Sequence, residues 1–79
     1  MKPKFYLENG DLTQYALACG YVQREEDNGL YRELYMEHEH FHVRFGEIGQ
    51  RYRIWETFEG NQLTKARKRF KELKLKEEN

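Results

Sequence analysis

The sequence predicts an α+β fold, an antiparallel meander of four or five strands with one C-terminal amphipathic helix packed on one face. From Leu30 to Phe58, apolar residues alternate with polar ones, which is typical of half-buried antiparallel strands. After residue 60 the apolar residues recur every three or four positions, which is typical of a helix. We expect the 79 residues to form one small domain, 1–79, rather than a multi-domain enzyme.

Asparagine and glycine mark the breaks between these elements. Both central positions of a type I′ hairpin turn need a positive φ angle, which Asn-Gly dipeptides adopt readily. The predicted breaks are Asn9-Gly10, Asn28-Gly29, Gly46 to Gly49, and Gly60-Asn61. They place the strands within about residues 13–58 and the helix within about 61–75, followed by a charged tail over 76–79.

The segment from Tyr15 to Val22 is apolar or small on both faces. We predict a central strand here, whose small side chains let another element approach closely. A short helix over Leu12–Cys19 is the alternative. Cys19 lies within this apolar stretch, so we expect it to be buried as a small hydrophobic residue.

The next two segments form a predicted hairpin with Glu39-His40 at its tip. A correct register sets apolar residues against apolar ones and polar against polar. With this tip, the facing pairs are Met36 with Val43, Leu34 with Phe45, Tyr35 with Arg44, and Glu37 with His42. The register therefore has the consistency that a real hairpin needs.

The C-terminal helix has one apolar stripe, formed by Leu63, Ala66, Phe70 and Leu73. Asn61 is its predicted N-cap, because an Asn side chain can accept a hydrogen bond from a free N–H of the first turn. The stripe is expected to cover one face of the sheet. That face carries Met36, Val43, Phe45, Ile54 and Phe58.

Charge is distributed unevenly along the chain, although the formal net charge is zero. Residues 1–64 hold 7 Lys+Arg and 11 Asp+Glu, a balance of −4, and residues 65–79 hold 7 and 3, a balance of +4. Such asymmetry favours contact with nucleic acid or an acidic partner. A solvated helix whose cations balance an acidic body is the alternative.

The sheet face away from the helix is the predicted binding surface. It should display His42, Arg44, Arg51, Arg53 and Trp55, with Tyr31, Tyr35, Glu33 and Glu37 alongside. Arg44 is expected opposite Arg51 or Arg53, and like charges across a ladder need an offset from glutamates or from an external phosphate. Arginine can pair with phosphate or a guanine edge, and Trp or Tyr can stack on a base. An ordinary exposed Arg–Glu lattice is the alternative.

Part of the chain resembles a class of DNA-binding domains. The residues that carry the likeness are Phe41-His42-Val43-Arg44-Phe45, Tyr52-Arg53-Ile54-Trp55-Glu56-Thr57-Phe58, and then Ala66-Arg67 and Phe70. Over about residues 30–73, the chain resembles the sheet-plus-helix domains of plant ethylene-responsive transcription factors and of the arm-binding domains of some mobile-element integrases. The resemblance implies a three-stranded sheet in the major groove. Its implied contact residues are Arg44, Arg51, Arg53 and Trp55.

The segment His38-Glu39-His40-Phe41-His42 contains the pattern His-Glu-x-x-His. This pattern builds a zinc protease site only on a helix, and here the flanking period is two. On a strand the outer two histidines lie too far apart to share one ion. We therefore expect exposed histidines near a loop tip, with no metal site, no cofactor and no catalytic residue. The chain also contains no Ser.

The sequence thus predicts a small non-enzymatic binding module. The first hypothesis is a nucleic-acid-binding accessory protein of a mobile element, which uses the Arg/Trp face, the helix cations Lys68 and Lys71, or both. The second is a protein-binding adaptor or inhibitor, including a homodimer formed through an uncovered sheet face or edge. No apolar run approaches the roughly 20 residues of a membrane span. A single Cys fits a reducing compartment, so we expect a cytoplasmic protein without a membrane partner.

Overall fold

A computed structural model describes residues 4–75. Within them the elements, in chain order, are α1 (Gln14–Ala18), β1 (Tyr21–Asp27), β2 (Leu30–Glu37), β3 (His40–Glu47), β4 (Tyr52–Glu59) and α2 (Leu63–Glu72). The strands form a four-stranded antiparallel sheet in the order β1-β2-β3-β4, and α2 packs on one face of it. This confirms the predicted α+β meander with a C-terminal helix. The predicted tail over 76–79 lies outside the described residues. Neither helix of the described part is long and apolar enough to cross a membrane.

Two tight turns set the register of the first three strands. The β1–β2 turn is at Asn28-Gly29, as predicted, with φ angles of 57° and 76°. The β2–β3 turn is at His38-Glu39, with φ angles of 52° and 64°, one position earlier than predicted.

The predicted β2–β3 register is therefore wrong. The observed pairs are Glu33 with Arg44, Leu34 with Val43, Tyr35 with His42, Met36 with Phe41, and Glu37 with His40. Each partner is two positions away from the predicted one, so every residue keeps its predicted face. The observed turn also gives Phe41 an apolar partner, Met36, which the predicted turn did not.

The predicted strand from Tyr15 to Val22 is also wrong, because its first half forms α1. The Thr13 hydroxyl accepts a hydrogen bond from the Ala16 N–H at 3.2 Å and so caps the helix. Gly20 then adopts a φ of +90°, which ends the helix and leads directly into β1. The alternative, a helix over Leu12–Cys19, describes this segment better.

Cys19 is exposed rather than buried. A strand buries every second residue, whereas in this helix of five residues Ala16 alone is buried. Cys19 follows directly as the C-cap and so lies at the surface.

The hydrophobic core lies between α2 and the sheet. Its buried residues are Leu34, Phe41, Val43, Ala66, Phe70 and Leu73, and partly buried Val22, Phe45, Ile54, Phe58 and Leu63 pack against them. The predicted stripe of α2 is therefore confirmed, as is most of the predicted sheet face. Met36, two residues from the hairpin tip, is the exception, because it is 40% exposed.

The start of α2 also differs from the prediction. The residue before the helix is Gln62 rather than Asn61, and its side chain makes no capping hydrogen bond to the helix. Instead its Oε1 accepts from the Glu59 N–H at 3.0 Å, and its own N–H donates to the Glu59 carbonyl at 2.9 Å. The turn from β4 therefore fixes where α2 begins.

The end of α2 is held by Arg32, a charged residue on the helix-covered face. Its Nη1 donates to the carbonyls of Phe70 at 3.1 Å and Leu73 at 2.9 Å. These carbonyls lie at the C-terminal end of α2, where helix carbonyls lack the usual donor four residues on, and the Phe70 carbonyl accepts one further backbone hydrogen bond, from the Leu73 N–H at 3.4 Å. Its Nε donates to Glu25 at 3.0 Å, and its guanidinium lies 4.5 Å from the centre of the Phe70 ring. Arg32 thus ties α2 to both β1 and β2.

Candidate binding surfaces

A chain of aromatic contacts crosses the sheet face that α2 leaves uncovered. The distances between ring centres are 5.8 Å for Tyr21–Tyr35, 5.0 Å for Tyr35–His42, 5.8 Å for His42–Trp55 and 5.2 Å for Tyr52–Trp55. Alternation along antiparallel strands places these rings side by side on one face. We call Tyr35, His42, Arg44, Tyr52 and Trp55 the aromatic face.

The N-terminal segment covers the β1 end of this uncovered side. The Phe5 ring lies 5.2 Å from Tyr21 and 5.8 Å from Tyr15, and the Arg24 guanidinium lies 5.3 Å from Phe5. The β4 end is free of such cover among the described residues, and Trp55 is 46% exposed there. The accessible part of the aromatic face is therefore its β4 end, with Tyr52 and Trp55, whereas Tyr35 is buried.

His42 holds the indole of Trp55 in place. The Trp55 Nε1–H donates to His42 Nδ1 at 3.1 Å, and the Thr57 hydroxyl lies 3.2 Å from the same nitrogen. Because an indole N–H can only donate, Nδ1 must accept, and the proton of the neutral imidazole is on Nε2. Nε2 lies 3.3 Å from the Glu37 carbonyl, which it can reach as a donor. Both nitrogens of His42 are thus engaged within the chain.

A buried carboxylate pairs with two arginines of this side. Glu33 is 1% exposed and accepts hydrogen bonds from Arg24 Nη1 and Arg44 Nε. The register places these three residues in one row across β1, β2 and β3. The Arg44 guanidinium also lies 4.7 Å from the centre of the Tyr35 ring and 5.9 Å from that of Trp55. Arg44 is therefore already paired before any ligand arrives.

The pKa values agree with this network. Burial raises the pKa of Tyr21, Tyr31 and Tyr35 above the usual value, and the Glu33 charge adds to the effect. Burial acts to lower the pKa of Arg44, but the charge of Glu33, its hydrogen bond and the nearby Tyr35 and Tyr21 together outweigh burial, so the pKa lies above its usual value. The guanidinium and the phenols therefore keep their protons at neutral pH.

The predicted arrangement of the sheet arginines is wrong. Arg44 lies opposite Trp55, and not opposite Arg51 or Arg53. A bulge places Arg53 between the paired positions Ile54 and Tyr52, and its side chain pairs with Glu47 instead of joining the aromatic face. Arg51 is exposed and precedes β4.

Sequence reasoning missed Tyr52 as a member of the aromatic face. Strict alternation from Ile54 puts Tyr52 on the helix-covered side, but the bulge at Arg53 reverses it. The available signal was Gly46, because glycine within a strand often marks a bulge. A Cβ at Gly46 would lie 3.0 Å from the Tyr52 Cα, so the backbones approach closely here.

A second surface lies on α2, on the other side of the sheet. Its exposed cations are Lys65, Arg67, Lys68 and Lys71 on the helix and Lys74 just beyond its end, and we call these five the basic helix face. Within residues 4–75 none of them forms an ion pair, whereas Arg69 pairs with Glu56. The predicted residues Lys68 and Lys71 thus have no ion-pair partner among the described residues, but the sheet separates them from Arg44 and Trp55. The six predicted site residues do not form one site.

The histidine pattern does not form a metal site in the described part of the chain. His38 and Glu39 make the turn, and His40 Nδ1 lies 2.8 Å from the His38 carbonyl. Among residues 4–75, no three His, Cys, Asp or Glu side chains are close enough to hold a metal ion.

No protein-family model, curated protein or solved structure matches this chain. The resemblance to the sheet-plus-helix DNA-binding domains therefore stays a prediction. The described part of the chain offers two candidate binding surfaces, the aromatic face and the basic helix face.

Proposed function

We propose that this protein binds nucleic acid through the basic helix face. The observation that carries the proposal is that the exposed cations of the basic helix face form no ion pair within residues 4–75. Each unpaired cation can neutralise a phosphate and release a condensed counterion. The sheet arginines are less suited to this, because Glu33 holds Arg44 and Glu47 holds Arg53.

The dimensions of α2 favour a duplex. The helix has 10 residues, which is about 15 Å of length and comparable with the roughly 12 Å width of the DNA major groove. The lysine ammonium is a point charge and lacks the planar guanidinium of arginine, which can bond to a base through two N–H groups. Lysine contacts therefore position the protein on the DNA phosphate backbone without reading bases. The binding should therefore depend strongly on salt and weakly on sequence.

The test is a fluorescence-anisotropy titration of labelled duplex DNA at about 50 mM and about 200 mM salt. On duplex DNA each phosphate contact adds about 0.9 to the slope of log affinity against log salt. The variant Lys68→Ala/Lys71→Ala should therefore weaken binding at least tenfold at low salt and reduce the slope by about 2.

A matched control removes the same number of charges from the sheet. The variant Arg51→Ala/Arg53→Ala should bind within about twofold of the native chain, since neither residue lies on the basic helix face. Equal losses in the two variants would contradict the proposal, as would the absence of binding to duplex DNA, single-stranded DNA and RNA at low salt.

The aromatic face favours a second function, the docking of a protein partner. Trp55 is 46% and Tyr52 is 40% exposed, and Arg44 is fixed beside them. Trp, Tyr and Arg are the residues that most often dominate protein interfaces. A partner retained by the native chain should be lost from a Tyr52→Ala/Trp55→Ala variant and kept by Lys68→Ala/Lys71→Ala. Retention by both variants would argue against this surface.

A further inference from the structure

We propose that β4 pairs with β4 of a second copy of the chain, so that two sheets join into one. β4 forms one edge of the sheet, and no described strand pairs with its outer side. The opposite edge, β1, has neighbours from the part of the chain that precedes it. Tyr6, Leu12 and the α1 residue Leu17 line a groove together with β1 residues. The inference does not rest on the proposed nucleic-acid binding.

The turn geometry shows which backbone groups of β4 point outward. Positive φ angles at both turn residues identify a two-residue hairpin, in which the flanking pair Glu37–His40 exchanges hydrogen bonds across β2 and β3. Hydrogen-bonded pairs then alternate with non-bonded pairs. The Ile48 N–H donates to the Gly29 carbonyl at 2.9 Å, which agrees with this alternation.

The same alternation continues into β4. The odd-numbered residues of β3 bond to β4, and their partners there are Ile54, Glu56 and Phe58. The N–H and C=O groups of Trp55, Thr57 and Glu59 consequently point away from the sheet. Gln62 satisfies both backbone groups of Glu59, through its amide oxygen and its own N–H. The free row beyond the Arg53 bulge is Trp55 and Thr57.

This free row is complementary to itself. In antiparallel pairing about a twofold axis, Trp55 lies opposite Thr57 of the second copy and the two exchange both backbone hydrogen bonds. The twofold axis then repeats the pair, so every free group finds a partner. The two neighbouring registers are less favourable. One sets Trp55 opposite Glu59 of the second copy, whose backbone groups already bond to Gln62. The other sets Thr57 opposite Arg53 of the second copy, which lies in the bulge.

The β4 side chains that face each other in this register are also compatible. On the helix-covered side, Ile54 lies opposite Phe58 of the second copy, so two partly buried apolar residues extend the core. Glu56 lies opposite its own copy across the axis, and its pairing with Arg69 offsets the repulsion. The zero net charge of the chain adds no general repulsion between copies.

The arrangement has a direct consequence for α2. Residues that lie opposite each other across the two β4 strands have their side chains on the same face of the joined sheet. The helix-covered faces of the two copies are therefore continuous, and both α2 helices lie on one side. The two basic helix faces are then presented together. The dimer itself can be measured without any nucleic acid.

The first test is sedimentation velocity of the full chain between about 1 and 500 µM. The mass should rise with concentration from 9.7 kDa towards twice that value. Thr57→Pro removes an outward N–H, which an edge strand tolerates, and should raise the dimer dissociation constant at least tenfold. Thr57→Val keeps the N–H and should dimerise like the native chain. A chain that stays monomeric throughout would overturn the proposal, as would unchanged dimerisation of Thr57→Pro.

The second test fixes the register. In a Cys19→Ser background, Glu56→Cys should form a disulfide-linked dimer under mild oxidation, because residue 56 faces its own copy across the axis. Trp55→Cys and Thr57→Cys should cross-link at least tenfold more slowly. Faster cross-linking at 55 or 57 than at 56 would overturn the register.

Discussion

The Glu33 carboxylate lies in the middle of the sheet, 1% exposed, between two guanidinium groups. An isolated buried carboxylate would be strongly unfavourable, but Arg24 and Arg44 supply charge and hydrogen bonds from both sides. The rings of Tyr31 and Tyr35 lie 4.7 Å from these two guanidinium groups, respectively, so each cation is also held against an aromatic face. The row therefore acts as a unit, and replacing one member alone leaves the others without a full set of partners.

Replacing Glu33 by Gln should destabilise the protein by about 3 kcal/mol, because the partly buried Arg44 guanidinium loses its counter-ion and Arg24 keeps only Glu26, while the shape is kept. Urea unfolding at neutral pH measures the change. The matched control is Glu37→Gln, an exposed glutamate on the same strand, which should change stability by less than about 0.5 kcal/mol. A loss below about 1 kcal/mol for Glu33→Gln would show that the network does not depend on the central charge.

Tyr6 contributes to the pH dependence of the free energy of unfolding at alkaline pH. Its hydroxyl oxygen is buried without a hydrogen-bond partner among the described residues, and burial raises its pKa from 10.0 to about 12. Between these values the unfolded chain loses the phenol proton first, so the free energy of unfolding falls as pH rises. Below pH 10 both states are protonated and Tyr6 contributes no pH dependence.

Tyr6→Phe should therefore make the stability loss between about pH 10 and pH 12 shallower. Near neutral pH the variant should be as stable as the native chain or gain up to about 1 kcal/mol, because a buried unpaired hydroxyl is removed. Urea unfolding at about pH 7 and pH 11 tests both expectations. An unchanged alkaline slope, together with a loss of stability near neutral pH, would contradict them.

At the scale of elements, the junction between α1 and β1 depends on Gly20. Its φ is +90°, and a Cβ there would lie 2.3 Å from the Met36 carbonyl oxygen, a backbone atom. The Gly20 carbonyl also accepts from the Met36 N–H at 2.7 Å, so this contact begins the β1–β2 pairing. A side chain at this position conflicts with both the backbone angle and the neighbouring strand.

Gly20→Ala should cost about 3 kcal/mol or more, from backbone strain together with the clash. Gly10→Ala is the matched control, because Gly10 has a φ of +92° but no atom within 4 Å of the added Cβ. It should cost only the strain, about 1 to 2 kcal/mol. Thermal and urea unfolding of both variants separate the two contributions. Equal losses would show that the approach to Met36 relaxes easily.

At the scale of the whole molecule, the sheet separates the aromatic face from the basic helix face. Distant sites without shared contacts usually contribute additively to free energy. Trp55→Ala should therefore change duplex affinity by less than about twofold, and its effect should add to that of Lys68→Ala/Lys71→Ala in the logarithm of the dissociation constant. Anisotropy titrations of the single, double and combined variants check this. A large loss in Trp55→Ala would place the nucleic acid on the sheet instead.

Alternation in the sequence was enough to predict the meander, the core face and the position of α2. It identified Val43, Ile54 and Phe58 correctly, because burial on one face imposes a period of two. It failed at Tyr52, where one bulged residue reverses the alternation.

Two further features were not predictable from spacing. The segment that forms α1 is too short for a helical period to be distinguished from a strand. The pairing of Arg44 with Glu33 depends on the β2–β3 register. That register is set by the turn, which lies one position earlier than the sequence predicted.

Trp55, which donates a hydrogen bond to His42, is an intrinsic fluorescent probe of the sheet face. The chain has a single tryptophan, so all indole emission comes from one location beside an imidazole and a guanidinium. A molecule that docks on this side changes the surroundings of the indole, whereas one that binds along α2 leaves them as they are. The emission spectrum of the unlabelled chain thus distinguishes which side of the sheet is occupied.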